Sequence, residues 1–313
     1  MLGKTAGGLF WMFRNLERSE NTARLVDAGF RMALTRLASA EDEWASVVAT
    51  AGSQQLYSSK YQNYLAAQVI DFLLRDSNNP SSVISAVKLA RDNARLVRTA
   101  LTREVWEATN ECWIMLKELL SRPVQTRDLP EVLGTIRKQS ALVRGALHGT
   151  MLRNDIFNFA RLGTFVERAD NTARILDVKY YVLLPSASFV GSSLDNVQWE
   201  SILRSVSAQL AYRWLHHGDY SPASIADCLI KDRRLPRSLA FCHAEISANL
   251  DYLAIDYDMR HPCHDLSASI LQRLQDSSIE SIFDAGLHEF LLDFIRRNAE
   301  LGGQIEQDYR FYG

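Results

Sequence analysis

Two stretches of this chain carry carboxylates, guanidiniums and amides at helical spacing. Glu17 to Asp27 reads ERSENTARLVD and Glu167 to Asp177 reads ERADNTARILD, 150 positions later, with seven of the eleven positions identical. At about 100° per residue, Glu17, Glu20, Asn21, Arg24, Asp27 and Arg31 share one side of a helix, and Glu167, Asp170, Asn171, Arg174 and Asp177 match them in the second stretch. Arginine offers a planar fork to a carboxylate, asparagine both donates and accepts, and glutamate only accepts. If the two helices meet, Glu17, Glu20, Asn21 and Arg24 approach Glu167, Asp170, Asn171 and Arg174. Such a cluster could hold the carboxylate and amine of an amino-acid-like ligand, and these eight are the candidate binding residues.

Two blander readings stand beside it. Glu20 with Arg24 and Asp170 with Arg174 are acid-before-base pairs at i,i+4, which a solvated helix surface would carry for roughly 0.2–0.5 kcal/mol each. Alternatively the cluster satisfies itself, because buried charges must be paired. Two features favour a covered face over a solvated one: the same residue types recur while the flanking segments diverge, and Phe10 and Phe13 lie on the charged side of the first helix. Arg24 and Arg174, each between acids at i−4 and i+3, are then expected to be paired and shielded from bulk water.

The elements that position these groups are helices. Leu9, Met12, Leu16, Ala23, Val26, Phe30, Ala33 and Leu34 form one apolar stripe, as do Phe159, Leu162, Val166, Ala169, Ala173, Leu176, Tyr180 and Leu183. With only 7 prolines and 15 glycines, the period stays near 3.6 and strands have little room. Helices are expected near 8–36, 41–51, 57–75, 80–98, 102–121, 129–148, 152–184, 197–208, 222–231, 236–254, 265–275 and 279–308. Pro80 and Pro236 are read as helix starts, where the missing N–H costs nothing. The most loop-like stretch is Pro185 to Ser193.

Further correspondences extend the repeat. Trp44 in EWASVV matches Trp199 in QWESIL at an offset of 155, and DSNNPSS (Asp76 to Ser82) matches DRRLPRS (Asp232 to Ser238) at 156. The expected fold is an all-α helical bundle of two tandem pseudo-symmetric repeats, 1–150 and 151–313, sharing one core and containing no sheet. The short junction His148-Gly149-Thr150-Met151 leaves no flexible linker, and the charged helices of the two halves are expected to superpose by a rotation near 180°.

Composition excludes several function classes. Thirty-five Lys and Arg against 37 Asp and Glu, with no long run of one sign, give no footprint for a nucleic-acid backbone. No apolar window reaches about 18 residues, so no membrane span is expected, and the apolar start, Gly7 to Phe13, runs into charge without a cleavage site. Four scattered cysteines suit a reducing cytoplasm. A di-iron bundle requires Glu-x-x-His pairs, which the sequence lacks. His261-Pro-Cys263-His264 reads as a turn rather than a metal site, and His216-His217 as a helix end. No phosphate loop, nucleophile elbow or dinucleotide fingerprint appears; no metal and no cofactor are expected. The polar run Arg91 to Arg98, continuing to Glu104, Trp106, Glu107 and Asn110, reads as helix surface, with Arg91, Arg95 or Glu107 able to join the central cluster.

Leu9 to Asp27, Asp76 to Ser82, Gly149 to Arg153, Glu167 to Tyr181 and Gln198 to Trp214 together resemble the alpha-E domain family, a bacterial helical family of unknown biochemical function. Its members carry aromatic-Trp-x-Gly-Arg before the first Glu-Arg and Leu-Gly-Arg before the second. This chain has Phe13 in place of the first Gly, Thr164 in place of the second Arg, and Phe157 at an expected Trp. The resemblance implies association with circularly permuted ATP-grasp proteins and transglutaminase-like proteins, and thus a part in making or processing a small peptide or amide. The expected function is a partner subunit of an ATP-grasp amide-forming system that binds an amino-acid-like or peptide-like group at the charged helices. The alternatives are an enzyme using Glu17 or Glu167 as general acid or base, and a pure scaffold.

Overall fold

The structure is a computed structural model that describes residues 1–35, 40–182, 193–216 and 220–312. Fifteen α-helices and no strand form among those residues. In chain order they are α1 (Gly3–Thr35), α2 (Ala40–Thr50), α3 (Gln54–Ser58), α4 (Ala66–Leu74), α5 (Val83–Leu96), α6 (Arg103–Leu119), α7 (Leu129–Thr150), α8 (Asp155–Val182), α9 (Ser193–Ser205), α10 (Gln209–His216), α11 (Pro222–Lys231), α12 (Leu239–Tyr257), α13 (Pro262–Asp276), α14 (Ile279–Ala285) and α15 (Leu287–Asp308).

The two long helices carrying the charged stretches, α1 and α8, pack directly on one another. On one side α1 is flanked by α5 and α7, with α6 packed on both; on the other, α8 is flanked by α12 and α15, with α13 packed on both. α2 and α9 each touch both long helices. One apolar cluster runs through the whole assembly, from Leu9 and Leu16 on α1 through Leu162 and Leu176 on α8 to Leu301 on α15.

This central position changes the meaning of the wheel. Leu9, Met12, Leu16, Ala23 and Val26 are buried as the apolar stripe requires, but Phe10, Phe13, Glu17, Glu20, Asn21, Arg24 and Asp27 on the other side are buried too. An element surrounded by neighbours has no solvated face. The stripe ends where α1 leaves the core, so Leu34 is exposed. Tyr180's side chain and Leu183 lie outside the described residues.

Polar caps set many of the helix starts. Ser82, Thr102, Ser221, Ser238 and Ser278 each accept a hydrogen bond from the backbone N–H three residues on, which satisfies one of the orphan donors of a first turn. Ser82 and Ser238 correct the expectation placed on the prolines. Pro80 and Pro236 stand in tight turns just ahead of the caps, and the helices begin at Val83 and Leu239.

Three expected boundaries also shift. The helix expected over 57–75 is two helices, because the chain turns after Ser58 and the Tyr57 hydroxyl donates to the Asn63 carbonyl at 2.9 Å. The helix expected over 279–308 breaks at Gly286, whose φ of +101° only glycine adopts readily. The one expected over 197–208 stops at Ser205, and α10 follows. His261 and His264 cap the start of α13, with Pro262 at its first position, and no group of metal-ligating side chains occurs among the described residues. Pro185 to Ser192 and His217 lie outside the described residues, and Ser193, the last residue of the expected loop, begins α9. Among the described residues no helix is long and apolar enough to cross a membrane.

Candidate functional site between the two long helices

Close approach of α1 and α8 is made possible by Gly163. A Cβ there would sit 2.1 Å from the Phe10 carbonyl oxygen, so only a hydrogen fits. With the backbones this close, the Glu-Arg dipeptides of the two helices exchange partners. Arg18 donates through Nε (2.6 Å) and Nη2 (2.9 Å) to the Glu167 carboxylate, and Arg168 donates through Nε (2.9 Å) and Nη2 (3.0 Å) to Glu17. Both are two-donor forks, the strongest geometry for this pair.

Around α1 the network is closed. Glu17 also accepts from Arg144 of α7 (3.3 Å) and lies 3.2 Å from Arg237, which stands just before α12. Glu20 accepts from Arg24 (2.8 Å and 3.0 Å), from Arg237 (2.7 Å) and from Arg144. Arg237 donates to the Asn21 Oδ1 (3.0 Å), and Arg24 to the Ser205 carbonyl (3.1 Å) and the Ser207 hydroxyl (2.7 Å). Burial alone would raise the Glu17 carboxyl, but Arg168, Arg237 and Arg144 hold it far below the usual range. Burial and Glu17 likewise oppose ionisation of Glu20, and Arg237, Arg144 and Arg24 bring it down. The cost of the arrangement shows on Arg237, which burial pushes down to about 10.

Around α8 the same residue types leave an opening. Glu167 accepts from Arg18 and from Arg14 (2.9 Å), and against burial these arginines bring its carboxyl down to about 2. Gly302 on α15 leaves Arg14 its room, since a Cβ there would lie 3.3 Å from Nη1. Asp170 accepts from Arg174 (2.7 Å and 3.3 Å). Asn171 is 9% exposed, and its Nδ2 has no hydrogen-bond partner among the described residues. These groups face a cavity of about 240 Å³, lined by Arg18, Asn21, Thr22 and Leu25 of α1, Glu167, Asp170, Asn171 and Arg174 of α8, Thr50, Ala51 and Gly52 at the end of α2, and Ser81. Carboxylates, guanidiniums and amides thus converge on one recess, a lining that can complement both ends of a zwitterion.

Of the eight expected binding residues, Asn21, Glu167, Asp170, Asn171 and Arg174 line this cavity, whereas Glu17, Glu20 and Arg24 are enclosed in the salt-bridge network. Arg24 is buried as expected, but the Arg174 side chain is 34% exposed because it borders the cavity. The acids at i+3 do not pair with these arginines: Asp27 turns to Arg31 (3.2 Å) and Arg137 (3.3 Å), and Asp177 to His288 (2.5 Å). Nothing from the Arg91 run joins in; Arg91 donates to Asn110 at 2.9 Å, and Glu107 pairs with Arg103 at the surface.

Sequence reasoning missed Arg14, Arg18, Arg144, Arg168 and Arg237. Arg18 and Arg168 carried a signal, being invariant between the two stretches; they are also the arginines of the only two Glu-Arg dipeptides in the chain. Arg144, 127 residues beyond Glu17, had none, and Arg237, 220 residues beyond, was marked only by standing opposite Ser81 in the aligned DSNNPSS and DRRLPRS segments. No curated protein and no solved structure matches this chain. One family model does, over residues 1–310, for a predicted alpha-helical domain with a conserved ER motif. With Glu17-Arg18 and Glu167-Arg168 locked across the contact of its two longest helices, the chain belongs to the Alpha-E family.

Proposed function

We propose that this chain is the ligand-holding partner of an ATP-grasp amide-forming protein, and that the recess between α1 and α8 receives an amino-acid-like or peptide-like group. In this reading the segments 1–150 and 151–313 are two repeats, each lending one charged helix to a shared site, and the protein works in the cytoplasm beside a circularly permuted ATP-grasp protein, with a transglutaminase-like protein as a further associate. Enzymes of the ATP-grasp class join a carboxylate to an amine through an acyl phosphate, so a companion that grips a zwitterion suits that chemistry. A single observation carries the reading: a cavity of about 240 Å³ gathers Arg18, Arg174, Glu167, Asp170 and the buried amide of Asn171 around one opening.

Acid or base catalysis by Glu17 or Glu167 is less well supported. Both oxygens of each carboxylate already accept from arginine, and both carboxyls are held ionised, whereas a general acid needs its pKa raised. The scaffold reading suits the closed half around Glu17 and Glu20 but gives no account of the recess. The test is an ATP-turnover assay of a circularly permuted ATP-grasp protein from the same organism, given amino acids with and without this chain. Faster, amino-acid-dependent turnover in its presence is expected; turnover indifferent to its presence overturns the proposal.

A further inference from the structure

The two halves of the network differ by one cation. Four arginines, Arg24, Arg144, Arg168 and Arg237, surround Glu17 and Glu20; three, Arg14, Arg18 and Arg174, surround Glu167 and Asp170 among the described residues. In the repeat alignment Glu17, Glu20 and Asn21 correspond to Glu167, Asp170 and Asn171, and Ser81 in DSNNPSS corresponds to Arg237 in DRRLPRS. The backbone supports that alignment at an independent point. Gly52 and Ser207, 155 positions apart, both take left-handed conformations, with φ of +66° and +56°.

In the closed half the Arg237 guanidinium reaches Glu17 (3.2 Å), Glu20 (2.7 Å) and Asn21 (3.0 Å). In the open half the corresponding acceptors, Glu167, Asp170 and Asn171, line the cavity, and the corresponding side chain is the short Ser81 at its wall. From this we infer that the cavity takes a ligand bearing a guanidinium group, seated as the side chain of Arg237 is seated in the other half. The inference rests on the binding reading above and narrows its ligand class.

Arg14, Arg18 and Arg174 exceed Glu167 and Asp170 by one positive charge, and this does not exclude a further guanidinium, because the closed half holds four arginines, the buried Arg237 among them, against Glu17 and Glu20 alone. A planar fork of donors uses acceptors on two carboxylates and an amide together, whereas an ammonium, a point charge with three donors, matches them less well.

The test is isothermal titration calorimetry of the full chain with four probes: L-arginine, the dipeptide glycyl-arginine, L-citrulline and L-alanine. L-Citrulline keeps the shape of arginine and lacks its charge. Arginine, or the dipeptide if the natural source is a peptide, is expected to bind about tenfold or more tightly than citrulline, since a hydrogen bond to a charged partner is lost. Ser81→Arg is expected to fill the cavity with the chain's own guanidinium, abolishing arginine binding while keeping the wild-type denaturation midpoint or raising it. Should Ser81→Arg not fold, Asp170→Asn is the alternative variant, with arginine affinity expected to fall at least tenfold. Citrulline or alanine binding as well as arginine overturns the guanidinium assignment and leaves the amino-acid reading standing. Arginine binding unaltered in the folded variant places the site elsewhere and overturns it too, and binding by none of the four overturns the guanidinium assignment, while the amino-acid reading falls only if a full panel of amino acids also fails to bind.

Discussion

Arg168→Ala removes one of the two helix-to-helix forks and leaves its partner buried. Glu17 is 1% exposed, and Arg168 supplies its two shortest hydrogen bonds, at 2.9 Å and 3.0 Å; the remaining contacts, from Arg144 and Arg237, are longer at 3.3 Å and 3.2 Å. Breaking a buried pair by deleting one member costs about 3–5 kcal/mol, because the other charge stays desolvated. For 313 residues the unfolding entropy is about 0.66 kcal/mol/K, so the loss corresponds to about 5–8 °C in the midpoint. Differential scanning calorimetry of the variant measures it directly. The Lys88–Asp92 pair, with side chains 62% and 40% exposed, supplies the control, and Lys88→Ala should shift the midpoint by less than about 1 °C. A midpoint for Arg168→Ala within 1 °C of wild type would refute the reasoning, since the fork would then contribute no more than a surface pair.

Three further outcomes follow from the same geometry. Gly163→Ala places a Cβ against the Phe10 carbonyl and should lower the thermal midpoint sharply, whereas Gly134→Ala, with nothing within 4 Å, should be neutral or gain about 0.5–1 kcal/mol; equal midpoints for the two would deny the close helix contact. The Glu167 carboxyl is held at about 2 in the folded chain, below its unfolded value of 4.5, so its contribution is complete above pH 4.5 and disappears as the pH falls toward 2. That contribution is on the order of 3 kcal/mol. Urea midpoints measured from pH 7 to pH 2.5 should therefore fall less steeply in Glu167→Gln than in wild type; parallel curves would contradict it. Arg237→Ala should destabilise by about 3–5 kcal/mol in urea titrations, as Arg168→Ala does, because Glu17 and Glu20 both lose a buried partner; a wild-type urea midpoint would dismiss this.

The helical class and the two charged helices were legible because periodicity and repetition are local properties of the chain. Leu9, Met12 and Leu16 on one side of α1 are buried as their spacing requires. What the wheel could not express is that α1 is central, so that Glu17 and Glu20 are as buried as Leu9; burial of a face depends on how many neighbours surround the helix, and those neighbours are set by the tertiary fold. Boundaries were misplaced where one residue overrides periodicity, as at Gly286, or where a serine cap outcompetes a nearby proline, as at Ser82 and Ser238. The candidate site was half legible. Asn21, Glu167, Asp170, Asn171 and Arg174 were singled out from their spacing and line the recess, but the difference between a closed and an open cluster lies in Arg144 and Arg237, brought in from distant segments. Ser81 against Arg237 in two aligned segments was the one sequence trace of that difference.

The claim that the recess between α1 and α8 binds an amino-acid-like group is tested most directly by calorimetric titration of wild type and Arg174→Ala with a panel of free α-amino acids. Arg174 borders the cavity and pairs with Asp170 within its own helix, with its side chain 34% exposed, so its removal should leave the thermal midpoint within about 2 °C of wild type. The account predicts saturable one-to-one binding of at least one amino acid to wild type and its loss in the variant. Absence of binding by any amino acid, or equal affinity in both proteins, would contradict it.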